Sequence, residues 1–336
     1  MGTGRLDLAF PDGVPPGQMI VIGARAEDDL SLFDPRRTRI VQTAYPDHKV
    51  LAARGFDVVT GADGGADTAL VVLPRAKALA RARIADANAL LPPGAELWIE
   101  GQRMDGIEAM LRELRALTDV DEIHSKAHGK IFRVRAGDWL PADWPGDDSH
   151  PAPGFTAPPG AFSADGVDPA SAALAAALPD KLPTRIVDLG AGWGWLSAQV
   201  LTRPGVEVVH LVEADHCALD AARRNVTDAR AQFHWADARD FTLADPVNGV
   251  VMNPPFHEGR AADPALGRAF IATAARLLTQ AGRLWLVANR HLPYETALEQ
   301  HFARVTEIGG DGRFKIIEAT GARHGARGRA TKGTRP

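Results

Sequence analysis

The sequence predicts an α/β protein built from two parallel, helix-flanked sheets in tandem, and three observations predict it. Short apolar runs, of the kind buried on both faces of a parallel sheet, alternate with helix-compatible segments along the 336 residues. Residues 141–160 hold Pro141, Pro145, Pro151, Pro153, Pro158 and Pro159, a composition that resists regular structure and divides the chain near its middle. Segment 89–103 (ALLPPGAELWIEGQR) also aligns without a gap on segment 276–290 (RLLTQAGRLWLVANR), so the two halves echo each other. The expected organisation is a first domain over 1–140, a linker over 141–160, a second domain over 161–322 and a basic, disordered tail over 323–336.

In the first half, residues 18–24 and 69–73 read as buried strands, 74–91 as a helix and 96–100 as a further strand after a Pro-Pro-Gly turn. Gly61 to Asp67 is glycine-rich but flanked by turn-formers and acids, and reads as a loop. The strand at 69–73 ends in Leu73-Pro74-Arg75, without a polar or aromatic group to meet a ligand. This half is expected to be non-catalytic.

In the second half, Arg185 to Leu189 reads as a strand that runs into Gly190-Ala191-Gly192-Trp193-Gly194 and then a helix to about Leu201. Glycines at 190, 192 and 194 let the backbone turn tightly and let a ligand approach without Cβ obstruction. The spacing differs from the Gly-x-Gly-x-x-Gly of dinucleotide sites, and Asp188 in the turn region would repel a pyrophosphate. That acid suits an ammonium-bearing ligand such as S-adenosylmethionine. The next strand, from Val206, ends in Glu213, 23 residues beyond Gly190, where a carboxylate can take both ribose hydroxyls. Asp215 competes for that role, and Glu213 is preferred by register. A third strand, Ala231 to Trp235, leads to Asp237, which either accepts from an adenine amino group or is a salt-bridged surface acid. Trp193 and Trp195 fill the core or pack on the ligand.

A fourth strand, Gly249 to Met252, stops in Asn253-Pro254-Pro255-Phe256, which can neither extend it nor start a helix. Two prolines remove two N–H donors and restrict the residue before each, leaving carbonyl oxygens and the Asn253 amide pointing outward. Such an acceptor-rich pocket suits an amino group, and Phe256 adds a flat face for a planar base. His257 follows as a possible proton acceptor or as a satisfied loop histidine.

From Ile186 to about Ala319 the sequence resembles the class I S-adenosylmethionine-dependent methyltransferases, and more narrowly the ribosomal RNA guanine-N2 methyltransferases. The narrower resemblance rests on Asn253 to Gly259, on Ala288 to Tyr294, on Gly312-Arg313-Phe314-Lys315, and on Pro153-Gly154-Phe155 with Phe162 to Asp168. It implies two Rossmann-like class I methyltransferase domains, the first a degenerate copy that Leu90 to Gly94 and Gly101 to Gly106 resemble. It also implies a catalytic Asn253-Pro254-Pro255-Phe256 and a cofactor held by Asp188, Gly190, Gly192, Gly194, Glu213, Asp237 and Asn253. The substrate implied is a guanine N2 amine of ribosomal RNA in the small subunit, the RNA touching Phe256, His257, Lys126, Lys130, Arg133 and Arg313. Adenine N6 or protein glutamine methylation would use a similar pocket, and a cofactor-binding RNA chaperone without turnover is the non-enzyme alternative.

Composition narrows the remaining classes. At 45% hydrophobic and 24% charged the chain is that of an ordinary soluble protein. Neither a basic-then-apolar leader nor an apolar run of about 18 residues is present, so a cytoplasmic protein away from membranes is expected. The single cysteine, Cys217, rules out an internal disulfide and any multi-cysteine metal site, and its residue type predicts burial in a helix. No metal is expected, and a monomer is. The net charge of −4 comes from −5 over residues 1–150 and +1 over 151–336, so only local patches could hold phosphate. One is His124 to Arg135, with Lys126, Lys130 and Arg133; the other is the tail, with Arg323, Arg327, Arg329, Lys332 and Arg335.

Overall fold

The computed structural model describes residues 4–255, 257–258, 261–262 and 264–323. Phe256, the side chain of His257 and the basic tail after Arg323 lie outside the described residues. The described chain forms two compact units, Met1–Gly166 with Ala214–Ala221, and Val167–Glu213 with Ala222–Pro336.

The first unit runs α1 (Arg5–Ala9), β1 (Met19–Ile22), β2 (Thr38–Val41), α2 (Tyr45–Ala53), β3 (Asp57–Val59), β4 (Thr68–Val72) and α3 (Lys77–Ala89). It continues through β5 (Glu96–Gln102), α4 (Ile107–Arg115), β6 (Val120–Lys126) and β7 (Gly129–Arg135). Its sheet has the order β3-β2-β1-β4-β5-β7-β6, with β7 antiparallel to both β5 and β6. Leu70 faces one core and its neighbours Ala69 and Val71 face the other, which is why the strand reads as an unbroken apolar run.

Residues 149–157, expected to lack regular structure, form a two-stranded antiparallel hairpin, β8 (Ser149–Ala152) and β9 (Phe155–Ala157). Gly154 at φ 78° makes its turn, and Pro151 is tolerated because a two-stranded ribbon leaves one edge of each strand without a ladder partner.

The second unit opens with α5 (Pro169–Ala177), β10 (Arg185–Leu189), α6 (Trp195–Leu201) and β11 (Val208–Glu213); α7 (His216–Asn225) follows, its residues up to Ala221 grouping with the first unit, and then β12 (Ala231–Trp235) and β13 (Val247–Met252). After the short β14 (His257–Glu258) and β15 (Ala261–Ala262) come α8 (Pro264–Leu277), β16 (Leu278–Asn289), α9 (Glu295–His301), β17 (Phe302–Gly310) and β18 (Phe314–Ala322). Its sheet order, β12-β11-β10-β13-β16-β18-β17, matches that of the first unit strand for strand. Cys217 is exposed rather than buried, because α7 turns Ala218, Leu219, Ala221 and Ala222 inward and leaves position 217 on the solvent side.

Register shows how deep the likeness goes. Leu70 pairs with Trp98 as Val251 pairs with Trp285, and both tryptophans are buried, so the echo between segments 89–103 and 276–290 is one structural position used twice. The Gly23 N–H donates to Val41 O at 2.9 Å as the Gly190 N–H donates to Val212 O at 2.9 Å. Following the same registers, Val21 stands where the second unit has Asp188, and Val72 where it has Asn253. Arg83 and Phe270 are each the seventh residue of the helix after the fourth strand. A Cβ on Gly23 would lie 2.6 Å from Arg83 Cζ, and Arg83 Nη1 donates to Val72 O at 3.1 Å. Burial pulls that guanidinium down to about 10. The crevice at the strand tips of the first unit is therefore filled by its own side chain.

Candidate active site

The second unit leaves the equivalent crevice lined by backbone. Gly190, Gly192 and Gly194 all adopt positive φ, at 78°, 54° and 89°. A side chain on Gly190 would press on Phe270, since its Cβ would fall 3.3 Å from Phe270 Cε1, and it would reach Pro255 Cδ at 4.0 Å. A Cβ on Gly192 would meet nothing within 4 Å among the described residues, so among them this peptide borders open space. The glycine turn and the proline-stiffened tip of β13 thus face one another, as parallel neighbours β10 and β13 require at their carboxyl ends.

Two carboxylates shape the turn. Glu213, the last residue of β11, accepts from the Gly192 N–H through Oε2 at 2.8 Å. Asp215, its competitor in sequence, accepts from the Cys217 N–H at 2.9 Å at the start of α7, so register and capping separate the two acids. Asp188 lies on β10 itself, two residues short of the turn where it was expected, because the strand continues through Leu189. It is fully buried, Ser197 Oγ donates to its Oδ2 at 2.6 Å, and its Oδ1 has no partner among the described residues. Burial, opposed by the Ser197 hydrogen bond and assisted by the Glu213 charge, pushes its carboxyl up to about 7.

Asp237 is engaged by its near neighbour. Arg239 Nε donates to both carboxylate oxygens, at 3.0 and 2.8 Å, and the Arg239 N–H adds a third bond at 2.8 Å. Trp193 is buried and Trp195 packs partly buried against the core on the α6 side of the sheet.

Asn253 sits half-buried just past β13. Its Nδ2 donates to Asp168 Oδ2 at 2.8 Å and to Ser171 Oγ at 2.9 Å, which uses both amide hydrogens. Its Oδ1 points away from these partners, and no donor among the described residues takes it. Pro254 is buried and Pro255 exposed. Ser171 had no role in the sequence reading, although Asp168-Pro169 before an alanine run is a helix-start pattern that places it in the first turn.

Beside this tip, at the carboxyl end of β16, a cavity of about 500 Å³ is lined by Asn289, Arg290, His291, Gly312, Arg313 and Phe314. The Arg313 side chain is 70% exposed and its guanidinium lies 5.2 Å from the Phe314 ring centre. The basic residues of the first unit differ among themselves. Arg133 makes a bidentate pair with Asp121 at 2.9 and 3.0 Å, a third bond to Glu96 at 2.8 Å, and covers the Trp98 ring. Lys130 Nζ donates to Ser125 Oγ and lies 3.5 Å from Glu108, whereas Lys126 is exposed. The sequence shows Arg133 as one of a basic run; the fold neutralises it within the sheet.

No group of three or more His, Cys, Asp or Glu among the described residues could hold a metal, and no helix among them is long and apolar enough to cross a membrane.

A family model described as the methyltransferase small domain matches residues 153–318. A relative from Aeromonas hydrophila, ribosomal RNA small subunit methyltransferase C, is 32% identical over 274 residues, covering 78% of this chain and 79% of its own. The chain belongs to the ribosomal RNA small subunit methyltransferase C family. The family member from Escherichia coli O157:H7 is 28% identical over 96% of this chain and 97% of its own. Among solved structures, a T. thermophilus 16S rRNA N2 methyltransferase in complex with AdoMet and guanosine superposes with a TM-score of 0.79 at 26% identity, covering 94% of this chain and 91% of that one. Family membership explains the matched sheets: both units carry the Rossmann-like class I fold, and the first is the degenerate copy.

Proposed function

We propose that this chain transfers the methyl group of S-adenosylmethionine to the exocyclic N2 amine of a guanine in small-subunit ribosomal RNA. The observation that carries the reading is the approach of Gly190 and Pro255 across one crevice, with an Asn253 oxygen beside it that no donor among the described residues takes. The solved family member with AdoMet and guanosine supports both ligands.

The residues present fit the cofactor. Gly192 borders open space, Glu213 is held against it, and the buried Asp188 has one oxygen to spare for a cation's hydrogen-bonded shell. When bound, the cofactor supplies an electrophilic methyl group on a sulfonium. A guanine N2 lone pair is delocalised into the ring, so the protein's task is to turn and aim it. Asn253 Oδ1 and the Pro254 carbonyl accept the two amine hydrogens, drawing the nitrogen out of conjugation and toward the methyl carbon. The new N–C bond forms as the C–S bond breaks, the sulfur keeps the bonding pair, and the surplus amine proton is lost to solvent. A strong base is not required. The base must be unstacked from its helix to enter. Arg313, which lines the neighbouring cavity at β16 and β18, would take the flanking RNA backbone.

Nucleoside mass spectrometry of small-subunit RNA tests this. Cells lacking the protein should lose one N2-methylguanosine, restored by the wild-type chain and not by Asn253→Ala; an unchanged level overturns the reading.

A further inference from the structure

A side-chain amide has two faces of opposite polarity, and an asparagine that must offer its oxygen to an amine is useless when turned over. Pro254 follows Asn253 directly and stiffens the backbone, but it does nothing to choose between the two amide orientations. The choice is made 85 residues away in sequence, at the start of α5. Asp168 is the N-cap of that helix, its Oδ2 accepting from the Ser171 N–H at 2.7 Å. The same oxygen accepts from Asn253 Nδ2, and Ser171 Oγ takes the second hydrogen. A carboxylate accepts and never donates, so it can face only the nitrogen side of the amide.

We propose that Asp168, seconded by Ser171, is the positioning residue that locks the Asn253 amide with its oxygen toward the substrate amine. This rests on the reading of Asn253 as the amine acceptor. Asp168 touches neither substrate nor cofactor in this role; it acts through Asn253. The first turn of α5 is thereby part of the chemistry of β13, and one carboxylate both caps a helix and sets an amide's polarity.

Asp168→Ser separates these two duties. Serine caps a helix as well as aspartate does, so folding and α5 should be preserved. Its single hydroxyl is shorter and can donate as well as accept, so it no longer dictates which face of the Asn253 amide turns toward α5. The expected result is a kcat lower by about 10²-fold, the loss seen when one preorganised polar group at a reacting centre is removed. The KM for RNA, the S-adenosylmethionine Kd and the melting temperature should stay near wild type. Ser171→Ala should lower kcat only about 2- to 10-fold, as for one ordinary hydrogen bond. Asn253→Asp sets two carboxylates together and should be inactive.

A second measurement does not depend on turnover. In wild-type protein with ¹⁵N-labelled asparagine, the Asn253 side-chain protons should exchange slowly with water, and in Asp168→Ala fast. Slow exchange retained in Asp168→Ala, or a wild-type kcat in Asp168→Ser, overturns the proposal. A loss of activity in Asp168→Ser that tracks the melting temperature overturns it too. If the wild-type chain makes no N2-methylguanosine while the exchange result holds, the lock stands and the substrate reading falls.

Discussion

Gly190 and Pro255 face each other across the tips of two adjacent parallel strands, so closely that a Cβ added to the former would lie 4.0 Å from Cδ of the latter. Gly190→Ala should therefore disturb both folding and ligand. At φ 78°, with Phe270 3.3 Å from the new methyl group, it should lower stability by about 2–3 kcal/mol. Gly192→Ala meets open space at φ 54° and should cost only about 1–2 kcal/mol. It should still weaken S-adenosylmethionine binding at least about tenfold, because the methyl group enters the space the ligand needs. Thermal melts alongside calorimetric titration separate the two variants.

Asn253→Ala removes the acceptor but none of the glycine turn. Cofactor Kd should remain within about twofold while kcat falls by about 10²-fold or more. Equal loss of both, in titration and single-turnover assays, would place Asn253 in cofactor binding instead.

Asp188 links the site to pH. Its folded-state carboxyl is raised to about 7 from an ordinary value near 3.8, chiefly by burial. A raised carboxyl favours folding fully below pH 3.8, and that contribution is lost as pH rises toward 7, where the buried group must ionise. Asp188→Asn lacks this term. The stability of the wild type relative to Asp188→Asn should fall between about pH 4 and pH 7 and then level off, which urea titrations at stepped pH would read. A flat difference across that range would show that the carboxyl keeps an ordinary value.

The first unit should stay empty of cofactor. Arg83→Leu removes the guanidinium that fills its crevice and leaves Val72 O without that donor, so a loss of about 2–4 kcal/mol is expected. Binding should not appear there, because Val21 and Val72 occupy the places of Asp188 and Asn253. Calorimetry should return one S-adenosylmethionine per chain for both wild type and variant.

Two arginines should answer differently to RNA. Arg313→Ala removes an exposed charge beside the site, held by an exposed pair with Asp311 at 3.9 Å, and should reduce the salt slope of RNA binding by about one counterion. Arg133→Ala removes a charge already paired with Asp121 and Glu96, and should lower the melting temperature while leaving the slope unchanged. Fluorescence anisotropy over a salt series distinguishes them.

What was legible in the sequence follows physical range. Strands buried on both faces announce themselves as apolar runs, and their ends carry the turn glycines and Asn253, so the crevice could be read from local pattern alone. The short β2 and β3 were missed because Arg39 and Asp57, paired with each other at 2.7 Å across those strands, interrupt the apolar signal. The 149–157 hairpin was hidden by prolines that a two-stranded ribbon accepts. Contacts between distant segments were out of reach: the grip of Asp168 on Asn253, the neutralisation of Arg133, and Arg83 lying against Gly23 each depend on the finished fold. Composition could say that Cys217 suits an interior, but only the rotation of α7 decides which side it faces.

The filled crevice of the first unit also limits how a small molecule can protect this chain. A ligand at 100 times its Kd adds about 2.7 kcal/mol to whatever it binds, and on the proposed reading that gain should go to the half bearing Gly190 and Asn253. Heat or protease should then open the half built around Arg83 and Trp98 as readily with the ligand as without it.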